Sequence, residues 1–348
     1  MRYITLNNEG ELIADEGGGY SLVDYTKLAK EDFSKNVGVE YIKFGIISDY
    51  SNEIFINYYI RQKEWEYLIK EDDILVKSKG NSISHFLWND LVERKNNPPQ
   101  KSSSLIFLFP WAKLFLACLV CFTLVTLRKL FNFKRRKATA KSIAIVRSKA
   151  SHSKLSLINE QESILLLSED IVYRNRKLQS MFSYFSFGQC LIAMFKSIGS
   201  AFRDFSFLIR EVDSIFGSRV TARIISNYSF RVALKSIYEQ LLFCFLKSGL
   251  VSDLVTGNKE DRFAMVEKRL CAKFGVCLTC IPHGLEYTYK FPSGIAGNVF
   301  YCTSEKSKEV LSKIYPTILF VHDEHLQKSL YQLSEPGKYN KEEIVFFT

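Results

Sequence analysis

The residues best suited to chemistry stand together in Pro282-His283-Gly284. An imidazole titrates near about pH 6.5, so a histidine in a cleft can take a proton from a hydroxyl, or hold a phosphate or a sugar hydroxyl. Gly284 lets the backbone turn sharply or come close to a ligand. The plain alternative is a turn histidine with no chemistry, because one His-Gly pair is a short signal.

The elements that must position His283 are legible on both sides of it. Val276–Ile281 is a short apolar, β-branched run that predicts a buried strand, and Pro282 ends it because proline cannot donate to a ladder. A loop with Pro292, Gly294 and Gly297 follows, then a second strand at Val299–Cys302 and a helix from Ser304 to Ile314. From Lys141 onward strand and helix patterns alternate, which predicts an α/β domain with a parallel sheet. Strands are expected at Ser142–Val146, Ser163–Leu167, Leu250–Gly257 and Thr317–Val321. A helix is expected over Asn258–Phe274, stopped by Gly275. Between Lys177 and Lys247 the apolar and aromatic residues are too broadly spread for one stripe, which predicts several buried or lipid-touching helices. In such sheets ligands bind beyond the carboxyl ends of the strands, where His283 would sit.

The stretch Leu105–Leu127, LIFLFPWAKLFLACLVCFTLVTL, holds one charge, Lys113, in 23 residues. That is long enough to cross a bilayer, which takes about 20 apolar residues. Arg128, Lys129, Lys134, Arg135, Arg136 and Lys137 follow it, a cluster expected to face anionic lipid headgroups on the cytoplasmic side. Spanning and surface-lying placements both fit, and so does a buried helix of a soluble domain. Residues 1–100 read as a small α+β segment. Strands are expected at Arg2–Leu6, Tyr41–Ile47, Glu53–Tyr59 and Asp73–Val76, a helix at Ser82–Glu93 with His85 packed or solvent-facing, and a linker at Asn96–Gln100. Gly17–Gly19 lacks the Lys-Ser/Thr of a phosphate loop.

Composition sets the outer limits. The net charge of +10 points to an anionic partner, while 28 Phe and 18 Tyr against 7 Pro argue for a buried core and against disorder. No nucleic-acid-binding signature accompanies the charge. Two CxxC pairs, Cys118/Cys121 and Cys277/Cys280, lie in apolar segments, and strand alternation points the second pair to opposite faces, so buried thiols are expected rather than a zinc site. His322-Asp323-Glu324-His325 is a weak metal candidate for the same reason. No metal is assigned, and a reduced, cytoplasmic setting is expected.

The run Leu254-Val255-Thr256-Gly257, Asp261-Arg262, Phe274-Gly275-Val276, Pro282-His283-Gly284-Leu285-Glu286 and Tyr301-Cys302-Thr303-Ser304-Glu305 resembles the first domain of bacterial GT-B glycosyltransferases that build surface polysaccharides. It is similar there to CDP-glycerol glycerophosphotransferase-type polymerases and sialyltransferase-like capsule enzymes. The resemblance covers about residues 141–348 and implies a Rossmann-like GT-B first domain at 141–340, after the N-terminal segment and a hydrophobic helix with its basic cluster at 101–140. Residues 341–348 then correspond to the first strand of a second domain that this sequence lacks. Under the resemblance His283 is the base for an inverting transfer, and Glu286 orients it or binds acceptor hydroxyls. Gly284, Thr256, Gly257, Thr303 and Ser304 line the acceptor cleft, although the hydroxyls would serve equally as helix caps. The implied partners are a glycan or lipid-linked acceptor, an anionic membrane at the cytoplasmic face of the bacterial inner membrane, and a donor-binding partner or missing C-terminal half. A nucleotide-sugar donor is expected only with that second domain. The competing reading is a non-catalytic, membrane-anchored binding or assembly protein that reuses half of the fold.

Overall fold

The computed structural model describes residues 2–7, 12–16, 19–22, 49–62, 65–66, 74–78, 80, 82–96, 104–132, 141–159, 164–249, 251–282 and 290–324. The expected strand at Tyr41–Ile47, most of the Asn96–Gln100 linker and the start of the second domain at 341–348 lie outside these residues.

The chain begins with strands β1 (Arg2–Leu6), β2 (Leu12–Glu16) and β3 (Gly19–Leu22). Helix α1 (Ser51–Ile54) follows and runs into a π turn at Phe55–Tyr59. Here the expected strand at Glu53–Tyr59 is corrected. Its apolar run is buried on a helical face, because Asn52 and Glu53 bond to loops of the main domain and hold the backbone coiled. Strand β4 (Ile74–Ser78) pairs parallel with β1 and closes a four-stranded sheet ordered β3-β2-β1-β4. Helix α2 (Ile83–Asn96) carries His85 inward, where its ring bonds Ser82 Oγ at 2.7 Å and the Leu6 carbonyl at 3.1 Å. His85 is thus a satisfied packing residue.

A 3-10 turn (Ser104–Phe107) leads into α3 (Leu108–Phe131), the long apolar helix. It is the one described helix long and apolar enough to cross a membrane. The main domain then runs β5 (Ser142–Val146), α4 (Lys149–Asn159), β6 (Leu165–Ser168) and a two-residue β7 (Gln179–Ser180). The aromatic-rich region resolves into two helices, α5 (Phe187–Phe216) and α6 (Ser218–Leu246). Ser186 and Gln189 form a capping box at the start of α5, and Gly217, at φ 76°, breaks the pair apart. Then come β8 (Asp253–Thr256), α7 (Arg262–Phe274), β9 (Cys277–Cys280), β10 (Val299–Cys302), α8 (Glu305–Ile314) and β11 (Leu319–His322). Helix α7 starts four residues later than its pattern predicts, because Asp261 is its cap and accepts from Ala264 N at 2.8 Å.

The seven strands form one parallel sheet, ordered β11-β10-β9-β8-β5-β6-β7. Strand β5 lies between β8 and β6, inside the sheet, and is buried on both faces from Ile143 to Val146, as an interior parallel strand must be. Successive strands build one way from β5 to β7. The α5–α6 hairpin then crosses back, and β8 to β11 build the other way. The direction therefore reverses between β5 and β8. Helix α6 packs against α5, α3, α7 and α2, and its buried residues, among them Tyr228, Val232, Ile237 and Leu241, belong to the main core.

Candidate functional site

The reversal between β5 and β8 opens the sheet at its carboxyl edge, the place where such sheets receive ligands. Three chain segments meet there. Strand β5 ends in Val146-Arg147-Ser148 and feeds α4. Strand β8 ends in Thr256-Gly257-Asn258. Strand β9 ends in Cys280-Ile281-Pro282, one residue before His283.

His283, Gly284 and Glu286 lie outside the described residues, but the residue before them is held firmly. Lys154 of α4 donates from Nζ to the Pro282 carbonyl at 2.6 Å. Ile281 N donates to the Thr256 carbonyl at 2.8 Å. The chain that leads into His283 is thereby pinned to β8 on one side and to α4 on the other, across the reversal.

The other expected cleft residues have structural work at these positions. Thr256 is buried, and its Oγ1 accepts from Asn258 N at 3.2 Å. Gly257 lets the strand end lie against α4, because a Cβ there would stand 2.8 Å from Ser151 Cβ. Ser304 caps α8 by accepting from Ser307 N at 3.0 Å, next to half-buried Thr303. These residues lie at the strand ends. A turn onto Asn258 accounts for the Thr256 hydroxyl and the α8 cap for that of Ser304, without a ligand.

Below the edge sits a buried charge pair that the sequence pattern did not reveal. Arg147 Nη1 donates to Glu267 Oε1 at 2.6 Å, and Tyr238 OH donates to the same oxygen at 2.5 Å. The guanidinium lies 4.7 Å from the ring centres of both Tyr238 and Phe263. Burial disfavours the Arg147 cation, but Glu267 more than offsets this and holds its pKa above the ordinary value. With its amide oxygen turned to the guanidinium, Asn258 accepts from Arg147 Nε at 3.1 Å. One arginine thus ties the ends of β5 and β8 to α6 and α7.

Two helix N-termini flank the reversal, and they differ. The α7 end is filled by this chain's own carboxylates: Asp261 caps it, and Glu53 of α1 accepts from Arg262 N at 3.0 Å and Arg262 Nη1 at 2.8 Å. At the α4 end Ser148 accepts from Ser151 N at 3.0 Å, and no carboxylate among the described residues is hydrogen-bonded to that terminus in the same way. His152, in the first turn of α4, is half-buried, and its Nε2 lies 3.4 Å from Asn175 Nδ2 beside the β6 end. The sequence reading passed over His152 and Lys154. The run Arg147-Ser148-Lys149-Ala150-Ser151-His152 straight after a strong strand was the available signal. The β6 end adds Glu169, whose carboxyl burial pushes up and whose Oε2 accepts from Val172 N at 3.0 Å. Asp170 next to it takes φ 65°, held by Ser168 Oγ at 2.6 Å.

Glu260, in the loop between β8 and α7, has its carboxyl pushed up to about 7 by burial, against the pull of Lys259. The same loop receives α1. Asn52 Nδ2 donates to the carbonyls of Glu260 at 3.2 Å and Gly294 at 2.8 Å, and Ser51 hydrogen-bonds Ser293. The N-terminal segment is thus stitched to the main domain rather than packed by itself.

Of the expected membrane-surface residues, Lys134, Arg135, Arg136 and Lys137 lie outside the described residues. Lys129 is corrected: it is buried, and its ammonium donates to the carbonyls of Asn132 at 2.9 Å and Phe182 at 3.2 Å. A cation at a helix C-terminus meets carbonyls that the helix leaves unpaired, which repays its burial. Arg128 is half-buried and donates from Nε to the Asp170 carbonyl at 2.8 Å. The end of the apolar helix is therefore latched to the carboxyl edge of the sheet.

No group of three or more His, Cys, Asp or Glu among the described residues is arranged to hold a metal, and the eight cysteines are free thiols. His322 Nδ1 lies 3.3 Å from the Cys302 carbonyl, and His325 is outside the described residues. A cleft of about 440 Å³ opens between α5, α6 and α7, lined by Asp49, Asp204, Lys235, Glu239 and Arg269 among others, none of them from the carboxyl edge. Comparison with protein-family models, with curated proteins and with solved structures finds no match to this chain.

Proposed function

We propose that the chain is the acceptor-side half of a membrane-associated glycosyltransferase of the GT-B kind. It would work with a donor-binding domain that holds the activated nucleotide. The observation that carries this reading is the pinning of Pro282 by Lys154. It holds the end of β9, one residue before His283, beside the reversal of a seven-stranded parallel sheet, and a base carried there would be in the region where such sheets receive an acceptor hydroxyl. The Arg128 latch adds that this edge is tied to the apolar helix, so a lipid-linked acceptor would meet the site near the membrane.

In the proposed step His283 takes the proton of the acceptor hydroxyl as its oxygen attacks the activated sugar carbon. The bond to the nucleotide phosphate breaks, and the leaving group departs toward the donor-binding domain. Lys154 acts as a positioning residue, since its ammonium holds the backbone one residue before the base.

The alternative is a non-catalytic binding protein built on the same half-fold. The observation that favours it is the occupancy of the edge: Thr256 closes a turn on Asn258, Ser304 caps α8 and Glu53 fills the α7 terminus. Transfer of labelled sugar from nucleotide donors to lipid-extractable acceptors, assayed on membranes that contain the chain together with its donor domain, separates the two. His283→Ala lowers transfer by about 10²–10⁴-fold if the imidazole is the base. Unchanged turnover in that variant removes the base assignment, and absence of transfer by the wild-type chain leaves the binding reading.

A further inference from the structure

Helix α3 has two unlike sides. Pro110, Leu114, Cys118, Cys121 and Val125 face inward and are buried. Every exposed residue of the helix except Lys113 and Thr123 is apolar, with Phe131, Phe109, Leu108 and Leu116 the most exposed and Phe115, Leu119 and Leu130 between them. On α5 the exposed Ile192 and Phe195 extend the same surface, with Phe195 6.1 Å from the Phe122 ring. An apolar face this large is not left to water.

The inward side is fastened along its whole length. At the start, Ser229 Oγ donates to the Pro110 carbonyl at 3.1 Å, and Trp111 packs on Phe202 and Phe205 at 5.6 and 4.9 Å. At the end, Lys129 and Arg128 bond the carbonyls of Phe182 and Asp170. Pro110 and Lys129 are about 28 Å apart along a helix, close to the full thickness of a bilayer's hydrocarbon core, about 30 Å. If α3 crossed the membrane, the adjoining stretch of α5 would cross with it. That stretch carries exposed Lys196 and Arg203 and the Asp204 carboxylate, charges that hydrocarbon does not accept.

Charge decides the occupant. Between Glu93 and Glu160 the sequence holds fourteen lysines and arginines and no acidic residue, and of these Arg147 is answered by Glu267 and Lys129 is buried, which leaves a strong positive excess. An anionic lipid surface complements that field. A second copy would set this run of lysines and arginines against the same run, with no acidic residue between Glu93 and Glu160 to offset it.

We infer that α3 lies flat in one leaflet, its outer face sunk among the acyl chains of an anionic bilayer and its inner face on α5 and α6, so that the protein is monotopic. This deepens the membrane part of the reading above and does not depend on transfer chemistry.

Leu108, Leu119 and Leu130 recur every eleven residues and share one stripe, so they report depth directly. The test uses the full chain on phosphatidylcholine vesicles with and without phosphatidylglycerol, and Leu108→Trp, Leu119→Trp and Leu130→Trp read against wild type by brominated-lipid quenching. The expected result is flotation with the anionic vesicles, weakened by salt, and the same shallow depth for all three tryptophans. Leu119→Asp, on an exposed site, is expected to keep the wild-type circular dichroism and lose binding on the order of tenfold or more. A deep Leu119→Trp between shallow Leu108→Trp and Leu130→Trp means a spanning helix; it overturns the flat placement and leaves membrane association standing. Failure of the wild-type chain to float, with a dimer that Leu119→Asp splits, means a self-interface and overturns the inference outright. Neither result bears on His283.

Discussion

Helix α6 carries two sides that solve burial in opposite ways. Toward α3 it presents Ser229, Ala233 and Ile237, small or apolar residues under an equally apolar helix. Toward α1 and α7 it presents Lys235, almost fully buried, whose ammonium bonds Asp49 at 2.8 Å, Asp204 at 2.7 Å and Glu239 at 3.2 Å. Arg269 bonds the same Asp49 and Glu239 at 3.0 and 2.9 Å. The charged side is closed, with each ionic group named here answered by others. The apolar side is closed only on its inner half, since α3 turns as much hydrocarbon outward as inward. Buried charge demands partners within the fold, whereas exposed hydrocarbon demands a partner outside it.

The largest expected effect comes from breaking the charged side. Lys235→Met removes the buried ammonium that three carboxylates share and leaves Arg269 to answer two of them alone. Loss of one partner of a buried network costs about 3–5 kcal/mol, read as a lower urea midpoint. Adding Glu239→Gln to Lys235→Met is expected to recover part of that loss, and failure to recover any would mean the network is not coupled through the ammonium. Next comes the inner side of α3: Leu114→Ala empties a fully buried position, at a cost of about 2–5 kcal/mol in the same measurement. A value near zero would mean that α3 is not docked on α6 as described. Smaller is the close approach at the sheet edge, where Gly257→Ala is expected to cost about 1–3 kcal/mol through overpacking against Ser151, and Ser151→Gly in the same chain to relieve it. Smallest in stability is the outer face, where Phe115→Ser with Leu119→Ser is expected to change unfolding by about 0.5 kcal/mol or less while it abolishes vesicle binding. Equal losses from inner and outer substitutions would erase the distinction between the two sides.

The Glu260 carboxyl adds a pH test. Its pKa rises from 4.5 to about 7 in the folded protein because burial penalises the charged form. The folded state therefore holds the proton more tightly than the unfolded chain. The contribution is full below about pH 4.5, falls as pH rises and is gone above about pH 7. Wild type is expected to lose stability across that window. Glu260→Gln is expected to flatten that part of the curve, and an unaltered slope would assign the pH dependence to another group.

The two sides of α6 also show which features a single sequence discloses. The strands from Ser142 onward, the stops at Gly275 and Pro282 and the unbroken apolar run of α3 were legible because each is local: a period, a missing donor, a length. The strand expected at Glu53–Tyr59 failed because its coiling is imposed by bonds from Asn52 and Glu53 to residues more than two hundred positions away. Lys129 looked like a headgroup contact because sequence shows a charge but not the two carbonyls that receive it. Lys154 and His152 do not stand out because nothing local shows that a helix brings the first to the strand that leads to His283 and the second to the β6 end.

By itself the sequence determined the α/β class, the strands β5, β6 and β8 to β11 with the helices α7 and α8 between them, the long apolar helix and the cationic stretch around it. Those follow from side-chain periodicity, backbone restriction and charge, properties each residue carries before any contact forms. Only the tertiary structure decided that the sheet reverses between β5 and β8, that Lys154 pins Pro282 there, that Lys235 gathers three carboxylates, and that α3 is fastened at both ends with its other side open. Those depend on which distant segments share a low-dielectric interior, where an unpaired charge or carbonyl is costly enough to select one arrangement.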